Sequence, residues 1–326
     1  MAQYKNEKGV SLSVSVWLAH DSYDHNPDPM TISVTSIIKP IKQIILAARA
    51  NKTGAIDPEE ISNLVASRMG TAFHDSIEYA WVNNYKKSLE ALGYPPKVID
   101  MIRINPEVEE EGTIPIYLER RSSKKVGPYT ISGKFDFVGE GRVEDFKSTG
   151  TYSYTTGVNE DKYILQESIY KWLNPEIITQ DTGAIQFIFT DWQVTRSLSD
   201  KNYPQNRVLE HKINLLSLED TQRYLDKKVN QIITLMDAPE SEIPECTPED
   251  LWQTKTTFKY YKNPASRTRS TKNFDTAHEA QARLIKDKSV GVIVVDKGEV
   301  RGCKYCNARN VCQQAANLIA TGNLKL

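Results

Sequence analysis

Gly133-Lys134-Phe135-Asp136-Phe137 and, past the turn Gly139-Glu140-Gly141-Arg142, Val143-Glu144-Asp145-Phe146-Lys147-Ser148-Thr149 are the residues on which the fold turns. Side chains alternate across a strand, so Asp145 and Lys147 share one face while Phe146 packs behind. Asp136 lies on the preceding strand, across a short Gly-rich turn, and meets Asp145 across the hairpin. Its flankers Phe135 and Phe137 point the other way, into a core. Two carboxylates and a lysine therefore converge on one side of a sheet. Hydrolysis of a phosphodiester requires this set: carboxylates hold a hard divalent ion that polarises the phosphate and lowers the pKa of an attacking water. The ammonium orients that water or stabilises the charge that develops on phosphorus. Glu144 faces the opposite side and reads as structural. An Asp-x-Lys pair alone is also common on a solvated strand face, so the reading needs company.

That company lies on both sides. Asp57-Pro58-Glu59-Glu60 has the form of a helix start, with an N-cap aspartate, proline at the first helical position and acids in the first turn. The spacing predicts helix from there to about Leu92, with Gly70 inside it and Gly93 as its stop, and His74 and Glu78 share a face of it at i,i+4. Strands are expected over Ile114–Glu119, Tyr129–Val138 and Val143–Ser148, as a meander of antiparallel hairpins. A helix from about Asp161 to Trp172 follows, with Gln166 and Tyr170 again at i,i+4. Further strands are expected at Ala184–Thr190 and Val208–Ile213, then an amphipathic helix from Leu218 to Met236. Earlier, Ile32 to Ile45 reads as a short strand followed by a helix.

The order Gly70-x-x-x-His74-x-x-x-Glu78, Gly133-x-x-Asp136, Asp145-x-Lys147, Gln166-x-x-x-Tyr170 resembles the RecB-type branch of the PD-(D/E)xK nuclease superfamily, which includes phage-encoded and CRISPR-associated exonucleases. The motifs span residues 70–172, and a cysteine tail extends the likeness to 312. The resemblance implies an α/β fold with a restriction-endonuclease-like core, a central mixed β-sheet flanked by helices, and a cysteine-clipped C-terminal subdomain. It implies His74, Asp136 and Asp145 as ligands of Mg²⁺ or Mn²⁺, and Asp136, Asp145 and Lys147 as the hydrolytic centre. Gln166 and Tyr170 would position the DNA backbone or the lysine, and Glu78 varies in role among such enzymes. The implied activity is that of an exonuclease in DNA recombination, repair or degradation. The alternative is a nuclease-fold module that binds DNA ends without cutting, against which the intact acid-and-lysine set argues.

The cysteines number four: Cys246, Cys303, Cys306 and Cys312. An even count invites disulfides, but a long chain with a C-x-x-C pair reads better as a metal site. Four thiolates suit either tetrahedral zinc or a [4Fe–4S] cluster, and spacing alone does not choose. The resemblance favours iron, although in those relatives the lone cysteine precedes the nuclease motifs, whereas Cys246 follows them. Such a centre would be a structural clip, because metal-binding energy is folding energy. A redox enzyme is not indicated, since no Gly-rich dinucleotide fingerprint accompanies the cysteines.

Between Cys246 and the tail, Lys255, Phe258, Lys259, Tyr260, Tyr261, Lys262, Arg267, Arg269 and Lys272 interleave cations with aromatics. Such a pattern suits DNA, by phosphate contact and base stacking, or a solvated strand pair. A helix opened by a Thr276-x-x-Glu279 capping box and a strand at Val290–Val295 follow. Pro239 and Pro244 mark a linker. The expected organisation is an N-terminal segment (1–55), a nuclease core (56–238) and a C-terminal metal- or cluster-binding region (239–326).

The whole chain of 326 residues, 39% hydrophobic and 25% charged, has the composition of a globular protein with a sizeable core. A net charge of −1 gives no global pull toward nucleic acid, which counts against a passive DNA-coating protein but not against a nuclease with its lysines along one groove. No run of about 18 apolar residues predicts a membrane span, and Met1 to Lys8 lack a secretory layout. The expected location is the cytoplasm, that of the host if the chain is phage-encoded. The expected partner is DNA, single-stranded or at duplex ends, with room for a recombination partner protein or a homo-oligomer.

Overall fold

The computed structural model describes residues 3–21, 26–54 and 58–325. The chain divides into two compact units: Met1–Lys39 with Pro58–Gln231, and Pro40–Asp57 with Ile232–Leu326. Among the described residues no helix is long and apolar enough to cross a membrane.

The first unit is mixed α/β. Its six-stranded sheet runs in the order Val208–Asn214, Thr182–Phe189, Arg142–Thr149, Phe137–Gly139, Ile114–Leu118, Ile102–Ile104. The Thr182–Phe189 strand pairs in parallel with Arg142–Thr149 and antiparallel with Val208–Asn214. Its near-continuous apolar run suits a strand covered on both faces. The Phe137–Gly139 and Arg142–Thr149 strands form a hairpin whose two loop residues, Glu140 and Gly141, have φ of 50° and 78°. Positive φ at both loop positions is the turn whose twist matches that of paired strands.

The Tyr129–Val138 strand expected from the sequence is two strands in two sheets. Tyr129–Lys134 pairs with Arg121–Val126 and Thr31–Ser33 in a separate three-stranded sheet, and Phe137–Gly139 belongs to the six-stranded one. The meander is broken between them, at Phe135 and Asp136, and Phe135 is wholly buried there. Gly133 explains how tightly the break is packed. A Cβ at this position would lie 2.5 Å from Val34 Cγ2 and 2.8 Å from Tyr170 Cε1. Gly133→Ala should therefore destabilise the first unit by about 1–3 kcal/mol through overpacking, read as a lower denaturant midpoint. An unchanged midpoint would mean that the neighbours yield freely.

Two further expectations change. The Asp57-Pro58-Glu59-Glu60 helix start is not one: Asp57 lies outside the described residues, and Glu59–Glu60 pairs in parallel with Tyr4–Lys5. The Glu60 carboxylate accepts the Glu7 N–H at 2.9 Å, so its acid serves the N-terminal segment rather than a helix end. A 3-10 turn at Ile61–Leu64 then leads into helix Val65–Ala91, unbroken at Gly70. The helix Glu160–Leu173 is buried on nearly every side from Gln166 to Trp172, not along one stripe, because it packs against strands of both sheets.

In the second unit, helix Ile41–Thr53 accompanies an antiparallel sheet of Lys272–Phe274, Thr257–Tyr261 and Val292–Asp296. Helix Ala277–Lys286 begins as expected, with Thr276 Oγ1 accepting the Glu279 N–H at 3.2 Å. Two 3-10 turns, Gly302–Tyr305 and Arg309–Val311, and helix Gln313–Ala320 complete the cysteine region.

Candidate active site

The break at Asp136 creates the site. The ladder between the two hairpin strands ends at Phe137 opposite Glu144, so Phe146 has no backbone partner on that edge. Side chains take its place. Asp136 Oδ2 accepts the Phe146 N–H at 2.9 Å, and His74 Nε2 lies 2.8 Å from the Phe146 carbonyl. His74 Nδ1 is 3.4 Å from Asp136 Oδ1, which closes a ring of contacts around one peptide unit. Burial alone would push the His74 imidazole down, but hydrogen bonding and charge from Asp136, the Phe146 carbonyl and Asp145 lift it to about 9. The raised pKa favours the imidazolium here, and to ligate a metal ion Nδ1, which faces Asp136, must give up its proton.

Asp145 and Lys147 project from the same strand as expected. Asp145 is 2% exposed. Lys147 Nζ donates to Asp145 Oδ1 at 2.7 Å and lies 2.5 Å from Oδ2, which receives no hydrogen bond of good geometry. Gln166 Nε2 donates to Oδ1 at 2.7 Å, so helix Glu160–Leu173 touches the centre directly. Burial raises Asp145 to about 6 against the pull of Lys147, with the Asp136 charge adding to the rise. Burial disfavours the Lys147 cation, but the charges of Asp145 and Asp136 outweigh it and raise its pKa.

Two acidic residues at this site escaped the sequence reading. Glu119 follows strand Ile114–Leu118, and extending the Leu118–Phe137 register by one residue sets it opposite Asp136. Its N–H donates to the Asp136 carbonyl at 3.2 Å. Its φ is 51°, its carboxylate pairs with Lys134, and burial raises its pKa. Among the described residues, His74, Glu119 and Asp136 are the set of three whose ligand atoms all lie within 4.8 Å of one another. The second is Glu167, wholly buried beside Gln166. Glu119 meets Asp136 only through the pairing of Ile114–Leu118 with Phe137–Gly139, which are not consecutive strands, and no local pattern marks Glu167.

The remaining expected residues are placed as follows. Glu78 is outside the close set of three. Tyr170 is 5% exposed, with its ring against Gly133. Glu144 is on the opposite side, bonded by Arg142 and Gln186. All four cysteines line one cavity of about 40 Å³, together with Lys42 and Arg309. Gln314 brackets Cys246, accepting its N–H and donating to its carbonyl, both at 2.9 Å. Burial first, then nearby Asp250 and the other thiols, pushes Cys246 up to about 12; burial likewise lifts Cys303 to about 11.

The expected base-stacking residues are corrected. Tyr260 is wholly buried, with its hydroxyl donating to Asp287 Oδ2 at 2.8 Å, and Tyr261 is buried beside it. Lys259 is paired with Asp296 at 2.5 Å. These residues form the core side and a cross-strand pair of the small sheet, so neither ring offers a face to a base. Lys255, Lys262, Arg267, Arg269 and Lys272 are exposed.

No protein-family model matches the chain, and no curated protein matches it. Among solved structures it is similar to the crystal structure of SSO0001, at 16% identity and a TM-score of 0.42, over 70% of this chain and 89% of that one. It is also similar to a phage related exonuclease from Haemophilus somnus 129PT, at 13% identity and a TM-score of 0.26, over 64% of this chain and 96% of the other. Neither likeness bears on the chemistry, which rests on the residues themselves.

Proposed function

We propose that this chain is a metal-dependent DNA nuclease of the PD-(D/E)xK type that works from DNA ends. The observation that carries the reading is the convergence of His74, Glu119, Asp136, Asp145 and Lys147 around the unpaired edge of one strand. The donor set, one imidazole and carboxylate oxygens, fits Mg²⁺ or Mn²⁺. His74, Glu119 and Asp136 would hold the ion; Asp145, expected as a ligand from the sequence, lies outside that close set and is bonded by Lys147 and Gln166. A divalent ion bound there supplies Lewis-acid polarisation of the phosphate and an acidified water. Lys147 brings a fixed positive charge to the developing phosphorane, Gln166 fixes the Asp145 carboxylate, and Asp136 and His74 lock the strand edge. Tyr170 supports this frame through Gly133.

In the second unit we assign the four cysteines to one thiolate-bound centre. Four sulfurs on one zinc stand about 3.8 Å apart, given a Zn–S bond of about 2.3 Å. Among the described residues no three cysteine sulfurs come within 4.8 Å of one another. Four sulfurs suit tetrahedral zinc or a [4Fe–4S] cluster, the resemblance favours the cluster, and the centre's contribution would be folding energy. The exposed cations Lys255, Lys262, Arg267 and Arg269 are the ones left to contact DNA phosphates.

The decisive experiment is digestion of end-labelled linear and covalently closed circular DNA with and without Mn²⁺. Loss of label from linear DNA only, and only with the ion, is expected. Binding of ends without cleavage would leave a nuclease-fold binding module instead. Glu119→Gln should raise the Mn²⁺ concentration needed for half-maximal cleavage by about tenfold, since it removes one charged ligand from a small set. An unchanged Mn²⁺ requirement in a folded variant removes Glu119 from the ion's shell.

A further inference from the structure

Two lysine–carboxylate pairs flank Asp136, and a divalent ion would bear on them differently. Lys147 sits on Asp145, which is outside the close set of ligand atoms. Lys134 sits on Glu119 Oε2, and Glu119 is inside that set with His74 and Asp136. An ion held by the set therefore draws on the carboxylate that Lys134 already uses. Two cations sharing one carboxylate repel each other, and the ammonium on its flexible four-carbon stem is the one that can move. The Lys134 side chain is 32% exposed and that of Glu119 15%, so the ammonium can turn outward while the carboxylate stays.

The strand register shows what lies beside it. Arg121 is directly opposite Lys134, so the two cations share one face of the three-stranded sheet. Like charges directly opposite destabilise a strand pair. Lysines that guard a sheet against pairing with other chains belong on an edge strand. Exposed Lys124 and Lys125, on the edge strand Arg121–Val126, fit that duty; Lys134 is on the middle strand, Tyr129–Lys134, and does not. A polyanion beside the centre gives the arrangement a use, because each phosphate neutralised by a cation releases counterions.

We propose that Lys134 is a DNA-binding residue of the reacting centre, held on Glu119 until a divalent ion draws on that carboxylate and then turned, beside Arg121, to a DNA phosphate. The inference deepens the nuclease reading above and rests on it. Only an ion pair is exchanged: the Glu119 carboxylate leaves one cation for another, and the ammonium leaves a carboxylate for a phosphate. Ion binding and DNA binding are thereby made to support each other through one side chain. The plain alternative is a static pair that ties the two sheets together, in which case removing Lys134 affects stability alone.

The test compares the full chain with K134M in two titrations. In calorimetry with Mn²⁺ and no DNA, K134M should bind the ion about threefold more tightly, because a competing cation has left Glu119. The second titration follows the fluorescence anisotropy of an end-labelled duplex, with both chains in the Asp145→Asn background so that the duplex stays whole. At saturating Mn²⁺, K134M should bind the duplex about fivefold more weakly, with a salt slope smaller by about one. With EDTA in place of Mn²⁺ the two chains should bind it alike, since Lys134 is then on Glu119. Opposite signs in the two titrations are what a static pair does not produce. Unchanged Mn²⁺ affinity, unchanged DNA binding, or an equal loss of DNA binding with and without the ion would each overturn the proposal. Should K134M not fold, K134Q takes its place. If the unmodified chain cuts DNA and K134M matches it in both titrations, the proposal alone falls. If the expected shifts appear but the unmodified chain cuts no DNA, the nuclease reading falls and the shared carboxylate stands. If the unmodified chain binds no Mn²⁺, both fall.

Discussion

Asp145→Asn is expected to abolish DNA cleavage, by roughly a thousandfold or more, while the fold and the binding of DNA ends persist. The amide keeps the shape of the side chain and an Oδ1 acceptor for Gln166, so helix Glu160–Leu173 stays docked. What disappears is the negative charge that faces Lys147 and adjoins Asp136. This variant is cleaner than Lys147→Ala, which strands a carboxylate that is 2% exposed and costs about 3–5 kcal/mol of stability. Cleavage of end-labelled DNA, set beside a melting curve of the same preparation, reads the result. Activity near that of the unmodified chain, free of contaminating nuclease, would rule this centre out.

The second large effect is expected at Cys303. Cys303→Ser should lose the proposed thiolate-bound centre and much of the stability of the second unit. A structural zinc site contributes on the order of 10 kcal/mol of binding free energy, and a cluster held by four thiolates should matter comparably. Cys303 packs with Leu251, Val300, Ala315 and Leu324 in one apolar cluster, so the loss is also felt in packing. Elemental analysis and visible absorption of protein purified without oxygen identify the centre. About four iron atoms per chain and a brown colour mark the cluster; about one zinc and no colour mark the alternative. A fully folded, metal-free chain with four titratable thiols would remove both.

The hairpin and the shared face of Asp145 and Lys147 were legible because alternation in a strand is strict and the turn residues announce themselves. The Gly133-x-x-Asp136 motif was legible too, but its meaning was not. Gly133 lies where a strand leaves one sheet for another, and no local pattern separates that from a continuous strand. Glu119 was hidden for the same reason, since it becomes a neighbour of Asp136 only once the pairing of Ile114–Leu118 is known. Glu167 was not singled out beside Gln166, because amphipathic reasoning assumes one exposed stripe, and this helix has almost none. Tyr260 shows the converse error. Cations and aromatics in alternation describe a DNA-binding strand and a half-buried strand equally well, and here the tyrosine faces the core. Asp57-Pro58-Glu59-Glu60 has the composition of a helix start, yet the Glu60 acid caps the Glu7 amide instead.

The break at Asp136 bears on how small a working piece of this protein could be. A peptide covering the Phe137–Thr149 hairpin would carry Asp145 and Lys147, but not the carboxylate that caps the Phe146 amide. Adding Asp136 is not enough, because its backbone is fixed from both ends, by Gly133 and Lys134 in one sheet and Phe137 in the other. The proposed hydrolytic centre is therefore not a portable module. A graft onto another scaffold must bring two sheets and the glycine that lets them meet, and a circularly permuted chain opened near residue 135 would lose the centre while keeping most of its strands.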